Sequence, residues 1–337
     1  MLEGVSINLF SGGADHLRHL DLSFFPIFWN SRLLSQLEKL TIMGSPTVPG
    51  PSTSELTYIL RQCPRLYKFV MITSGEIRVL GDTRSEVGIA HLPALGSFTL
   101  HLENPRAFNR ILSSVRIPEC TMFSLECSHA TRNIFSNEIS HITTALLSVI
   151  RSTPSISLSL SLSELNLTGR RTEDDPGIDI TLNSDSPWEI LASLIELSVL
   201  WPPINAYICC NELPSLQVAD LLRRIPSITK LHLTGNSDQY IAQLLQPTLN
   251  NGKYEWVLPN LRKLWLDDCP ESSLSLLTAL VERRREGIET DQGEGVRLRL
   301  DKVHVAVPYW GRNQEMGTFY SALRMLKGEY WNGDMID

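Results

Sequence analysis

The residues best placed to do chemistry are three alternating pairs, Lys230-x-His232, Lys263-x-Trp265 and Arg297-x-Arg299. In extended backbone, residues two apart point to the same side, so each pair would present both side chains together. Ammonium and guanidinium groups pair with carboxylate or phosphate, and one indole among them supplies an aromatic anchor. Such a set suits an acidic or phosphorylated peptide segment. The competing description is a solvated charged surface neutralised by Asp267 and Asp301.

The other chemical signals are weaker. His16-x-x-His19 has the spacing of a metal pair, yet no Cys or carboxylate is placed to complete a site, so a surface pair is the expectation. Arg283-Arg284-Arg285 falls where a helix would end, and positive charge there is favoured by the helix dipole. Asn166-Leu167-Thr168 fits a glycosylation acceptor, which matters only in a secreted protein, and Glu173-Asp174-Asp175 reads as an acidic turn. There is no G-x-x-x-x-G-K, no G-x-G-x-x-G after a strand, no G-x-S-x-G and no H-E-x-x-H. No catalytic residue, metal ligand or cofactor site is therefore assigned, and the chain is not expected to be an enzyme.

What must position the three pairs is a repeated strand. Ile228-Thr229-Lys230-Leu231-His232-Leu233-Thr234-Gly235-Asn236 and Leu261-Arg262-Lys263-Leu264-Trp265-Leu266-Asp267-Asp268-Cys269 both fit L-x-x-L-x-L-x-x-N/C, with Ile in the first position of one copy. Shorter matches begin at Leu17, Leu37, Leu66, Leu95 and Leu194, with fragments at Met122 and Val296. The middle apolar positions are Leu20, Leu40, Phe69, Phe98, Phe123, a poorly defined one near Leu160, then Leu197, Leu231, Leu264 and Leu298. Between them the apolar period lengthens toward 3.6 over 54–63, 138–152, 216–225 and 274–285, and each stretch stops at or near Pro or Gly.

One short parallel strand with one amphipathic helix leaves an apolar side open, and stacking copies covers it. The fold expected is thus α/β, a leucine-rich-repeat solenoid with a concave parallel sheet and convex helices and turns. The array spans 1–302 and a C-terminal strand and capping helix span 303–337, with Met316, Phe319, Tyr320, Leu323 and Leu326 on the helix stripe. An irregular insertion occupies about 155–186. There Ser155–Leu167 alternates Ser and Leu as one longer strand, and Ile178–Leu182 alternates again beyond a polar loop. On this frame Lys230, His232, Lys263, Trp265, Arg297 and Arg299 form a protein-binding patch on the concave face.

Composition excludes several classes. At 337 residues with 42% apolar and 20% charged residues, most of the chain can bury a core. Thirty Lys and Arg against thirty-seven Asp and Glu give −7, which disfavours a general phosphate-backbone binder. No apolar run reaches the length of a membrane helix and the N-terminus lacks a secretory pattern, so a cytoplasmic or nuclear location is expected. Six scattered cysteines without C-x-x-C point to reduced, mostly buried thiols.

The chain resembles the leucine-rich-repeat region of fungal F-box proteins. The residues that carry the resemblance are Gly12–Leu22, the Leu60-Arg61-Gln62-Cys63-Pro64-Arg65-Leu66 junction, and Leu221–Ile228 with the strand after it, since helix, Cys-Pro or Ile-Pro, then strand is how that group punctuates its repeats. The resemblance implies the substrate-recognition part of a ubiquitin-ligase receptor, with a target protein on the concave face. It further implies a Skp-type adaptor and cullin ligase, provided an F-box lies upstream, because none is read within this sequence. The alternatives are a stand-alone interaction scaffold and, from another class, an enzyme with an unrecognised site.

Overall fold

A computed structural model of the chain describes residues 16–23, 35–44, 51–74, 77, 88–135, 140–172, 177–197, 201–210, 213–244, 248–250, 253–268, 270, 272–286, 300 and 302–306. The protein is α/β with mostly parallel strands, and its chain divides into two compact units, Met1–Pro154 with Ser163–Val199, and Ser155–Leu162 with Leu200–Asp337.

In the first unit the strands are β1 (His19–Ser23), β2 (Lys39–Gly44), β3 (Lys68–Thr73), β4 (Ala90–His91), β5 (Ser97–Leu102), β6 (Val115–Arg116), β7 (Met122–Cys127), β9 (Glu164–Gly169) and β10 (Ile178–Asn183). Their main order is β1-β2-β3-β5-β7-β10-β9, parallel throughout except for the antiparallel β9–β10 pair, while β4 and β6 form a separate parallel pair. The register sets Leu20, Leu40, Phe69, Phe98, Phe123 and Ile178 side by side, the middle apolar positions of the sequence pattern followed by the inserted strand. From Leu40 onward these side chains are at most 1% exposed, and the Phe69 and Phe98 rings stack at 5.6 Å between centroids.

The helices of this unit are α1 (Thr53–Arg61), α2 (Pro105–Ser114), α3 (Ser140–Ser152) and α4 (Pro187–Leu197). α1 starts in a capping box: the Ser52 hydroxyl accepts from the Glu55 amide at 3.2 Å and the Glu55 carboxylate accepts from the Ser52 amide at 2.8 Å. Asn104 caps α2 through two amides and Pro105 opens it, where a missing N–H costs nothing.

The second unit holds β8 (Ile156–Leu160), β11 (Ile204–Cys209), β12 (Ile228–Thr234), β13 (Thr248–Asn250), β14 (Lys253–Glu255), β15 (Lys263–Asp267) and β16 (Lys302–Ala306), with α5 (Ser215–Arg223), α6 (Asp238–Leu244) and α7 (Ser272–Glu286). The order β8-β11-β12-β15-β16 is parallel throughout, and β13–β14 is an antiparallel hairpin. Leu158, Ala206, Leu231, Leu264 and Val303 are in register, and the first four are at most 3% exposed.

Three expectations are corrected. Leu194–Val199 was expected as a repeat strand, but 187–197 is helical: Ile190, Leu191, Leu194 and Ile195 are buried at helical spacing and Pro187 opens the helix. The strand position belongs instead to β11, which follows Pro202-Pro203. Ser155–Leu167 is two strands rather than one, broken at 161–163, with β9 turning back against β10 as the expected strand pair. The strand beside β15 is Lys302–Ala306, five residues beyond the Leu298 position. The C-terminal capping helix lies outside the described residues.

Cys63, Cys120, Cys127 and Cys210 are buried thiols and Cys209 is half-buried, while Cys269 lies outside the described residues. No described helix is long and apolar enough to cross a membrane.

Gly44 closes β2 opposite Thr73 of β3, and a β-carbon there would fall 2.7 Å from Thr73 Cβ and closer still to its hydroxyl. Gly44→Ala is therefore expected to cost about 1–3 kcal/mol through overpacking. Urea unfolding checks this, and Thr73→Ala in the same chain should return only part of the loss, because it removes the hydroxyl but leaves the β-carbon 2.7 Å away.

Candidate functional site

Strand alternation sorts the second unit's sheet into two sets of side chains. Ile228, Leu231 and Leu233 of β12 and Leu264 and Leu266 of β15 are buried, so Lys230, His232, Lys263 and Trp265 stand on the opposite side, half-exposed. Parallel pairing then places Lys230 beside Lys263 and His232 beside Trp265. Four of the six residues singled out by sequence are thus brought together. Arg297 and Arg299 lie outside the described residues.

The pairing extends both rows. Beside Lys230 lies Asn205 of β11, and beside Lys263 lies Lys302 of β16, so one row runs Asn205, Lys230, Lys263, Lys302. The second runs Tyr207, His232, Trp265, His304, four rings or imidazoles on four successive strands. Tyr207 is 40% exposed, and its ring meets the His232 ring edge-on at 4.6 Å between centroids and 83° between planes.

Sequence reasoning missed Tyr207 because it placed that strand at Leu194–Val199, and Lys302 and His304 because it set Leu298 rather than Val303 in line with Leu264. A signal for each was present. Ile204-x-Ala206-x-Ile208 and Val303-x-Val305 both alternate apolar and other residues, though without the leucines of the repeat pattern.

The electrostatics of the patch turn on Asp267. Its carboxylate accepts from His232 Nε2, and since a carboxylate has no proton to give, the imidazole must donate from that nitrogen. The ammonium groups of Lys230 and Lys263 have neither a hydrogen-bonding nor an ion-pair partner among the described residues. Of the two carboxylates expected to neutralise the lysines, Asp267 pairs with His232 instead, and Asp301 lies outside the described residues.

A second polar cluster sits in the first unit. His101 of β5 lies across from Glu126 of β7, its Nδ1 3.4 Å from a Glu126 oxygen, and its Nε2 is 2.9 Å from the Ser124 hydroxyl. With Nδ1–H directed at Glu126, Nε2 accepts from Ser124, an order of groups that can activate a serine. Ser124 is, however, in the middle of a strand laddered on both sides, to β5 and β10, so the neighbouring amides are committed to the sheet. Nearby amides free to stabilise an oxyanion are what such chemistry further requires.

Among the described residues no group of three or more His, Cys, Asp or Glu side chains could hold a metal ion. His16 and His19 are both exposed, Arg283–Arg285 fall in the last turn of α7, and Asn166–Thr168 lie within β9. Glu173–Asp175 lie outside the described residues. No family model matches the chain, and neither a curated protein nor a solved structure matches it.

Proposed function

We propose that this chain is a protein-binding leucine-rich-repeat solenoid and the substrate-recognition part of an F-box-type ubiquitin-ligase receptor. The repeat reading is supported by parallel strands whose middle apolar residues stand in line from Leu20 to Ile178 and from Leu158 to Val303. The observation that carries the binding function is the outward pair of rows on the second unit. Two lysines without acidic partners among the described residues stand beside half-exposed aromatic side chains, an arrangement that contributes little to folding and suits an interface.

The target protein then occupies the concave face, and a Skp-type adaptor and cullin join through an F-box upstream, in the cytoplasm or nucleus. Affinity capture of the endogenously tagged protein tests this. Co-purifying adaptor and cullin are expected; other proteins without any ligase component would make the chain a stand-alone interaction scaffold.

The enzyme reading has one observation in its favour, the Ser124–His101–Glu126 cluster. Because the amides around Ser124 are engaged in the ladders, we expect no fluorophosphonate labelling of Ser124 and no p-nitrophenyl acetate hydrolysis above that of a Ser124→Ala variant. Labelling that disappears in Ser124→Ala and in His101→Ala would establish a nucleophile instead.

A further inference from the structure

We propose that the outward rows of β11, β12 and β15 take an extended acidic peptide segment, its anionic groups on Lys230 and Lys263 and one apolar side chain on Tyr207 and Trp265. The proposal rests on the protein-binding reading above and gives that site its ligand chemistry.

Three features of the geometry point there. Lys230 and Lys263 are in direct register on adjacent parallel strands, which lie about 5 Å apart. Like charges at that separation repel, and a bound anion converts the repulsion into attraction. The flanking position on β11 brings no relief, since Asn205 is neutral.

Among the described residues of β12 and β15 the acidic one is Asp267, and it is held by His232. Each strand therefore runs from a cation through an aromatic group to a polar end, Lys230-His232-Thr234 and Lys263-Trp265-Asp267. A ligand with carboxylates at one edge and an apolar side chain beside them matches that order. One with the opposite polarity would bring its carboxylates toward Asp267.

The net charge of −7 separates a peptide from a nucleic acid. A polyphosphate chain would meet an overall repulsive field, whereas a short acidic segment samples the local lysines within about 10 Å, the screening length at moderate salt.

The test uses the full chain and fluorescein-labelled eleven-residue Gly/Ser peptides with three Glu around a central Phe. Matched peptides replace Glu by Gln, Glu by phosphoserine, or Phe by Ala, and a single-stranded RNA dodecamer serves as the competing polyanion. Anisotropy should show saturable binding of the Glu peptide, about tenfold or more weaker for the Gln peptide and for the K230E/K263E chain, and weakened by Trp265→Ala. The K230Q/K263Q chain, which adds no new charge, guards against misfolding and should fall in between. Tighter binding of the phosphoserine peptide assigns the anion as phosphate, and equal or weaker binding assigns it as carboxylate. The proposal is overturned by equal affinity for Glu and Gln peptides, by insensitivity to charge reversal, by no binding up to about 1 mM, or by RNA displacing the peptide and binding more tightly. None of those results bears on capture of adaptor and cullin, so the receptor reading fails or stands separately.

Discussion

Phe98→Ala should lower the stability of the first unit by about 3–5 kcal/mol, the range for emptying a fully buried aromatic site. Phe98 has no exposed surface and sits in β5 between Phe69 and Phe123, stacked on the first at 5.6 Å and edge-on to the second at 6.4 Å. Truncation removes the ring's transfer free energy, leaves a cavity in a layer fixed by strand pairing, and ends two aromatic contacts worth about 0.5–1.5 kcal/mol each. Domains are stable by only about 5–15 kcal/mol, so the urea midpoint should fall steeply. Hydrogen exchange should accelerate first in β3, β5 and β7. Phe98→Leu, which keeps most of the apolar volume and loses only the ring contacts, should cost roughly half as much. Equal losses in the two variants would mean that the ring contacts, rather than apolar bulk, carry the stabilisation.

The same aromatic layer shows why so much of the sheet was visible in the sequence. Phe69, Phe98 and Phe123 stand where the repeat pattern asks for leucine, and alternation along each strand was sufficient to place them inside. Where the inward residues are large and regularly spaced, local pattern and tertiary pairing agree. β11 is the opposite case. Its inward residues are Ile204, Ala206 and Ile208, and the small Ala206 occupies the register position that Leu231 fills next door. A few residues earlier, Leu194, Leu197 and Val199 imitate the repeat spacing, but Ile190 and Leu191 join Leu194 and Ile195 to make a helical stripe. A six-residue window cannot separate the two periods, whereas the helix start at Pro187 and the Pro202-Pro203 stop can.

The candidate site inherits those errors. Lys230, His232, Lys263 and Trp265 were found because their own strands carry intact leucine patterns. Tyr207 was missed with β11, and the Lys302–His304 positions were missed because β16 is built on valines. What no pattern could supply is the partner of Asp267. Lys263 is four residues from it in sequence, His232 thirty-five, and only the parallel register of β12 with β15 decides for the histidine.

Raising the pH should unfold the first unit between about 9 and 12, and the slope of that loss identifies the cause. Cys63, wholly buried behind α1 with its thiol donating to the Ile59 carbonyl at 3.2 Å, is pushed by burial from 9.0 up to about 12. Burial likewise raises Cys120 to about 12, against a smaller opposing pull from the backbone at Met122 and Phe98, and it raises Cys127 as well. Below pH 9 both folded and unfolded thiols keep their protons, so these groups leave stability unchanged. Above it the unfolded chain releases protons that the folded chain retains, and stability declines until the folded thiols also ionise near 12. Each proton contributes a slope of about −1.4 kcal/mol per pH unit, so Cys63 and Cys120 together predict about −3. Urea midpoints at half-unit steps from pH 8.5 to 11 measure it. The C63A/C120A chain starts from a lower baseline, yet its slope should be shallower by about 3 kcal/mol per pH unit. The difference in slope isolates the two thiols, because every other group is common to both chains. An unchanged slope would show that the two sulfurs reach water before the chain unfolds, through local opening at the α1 end or at the turn before β7.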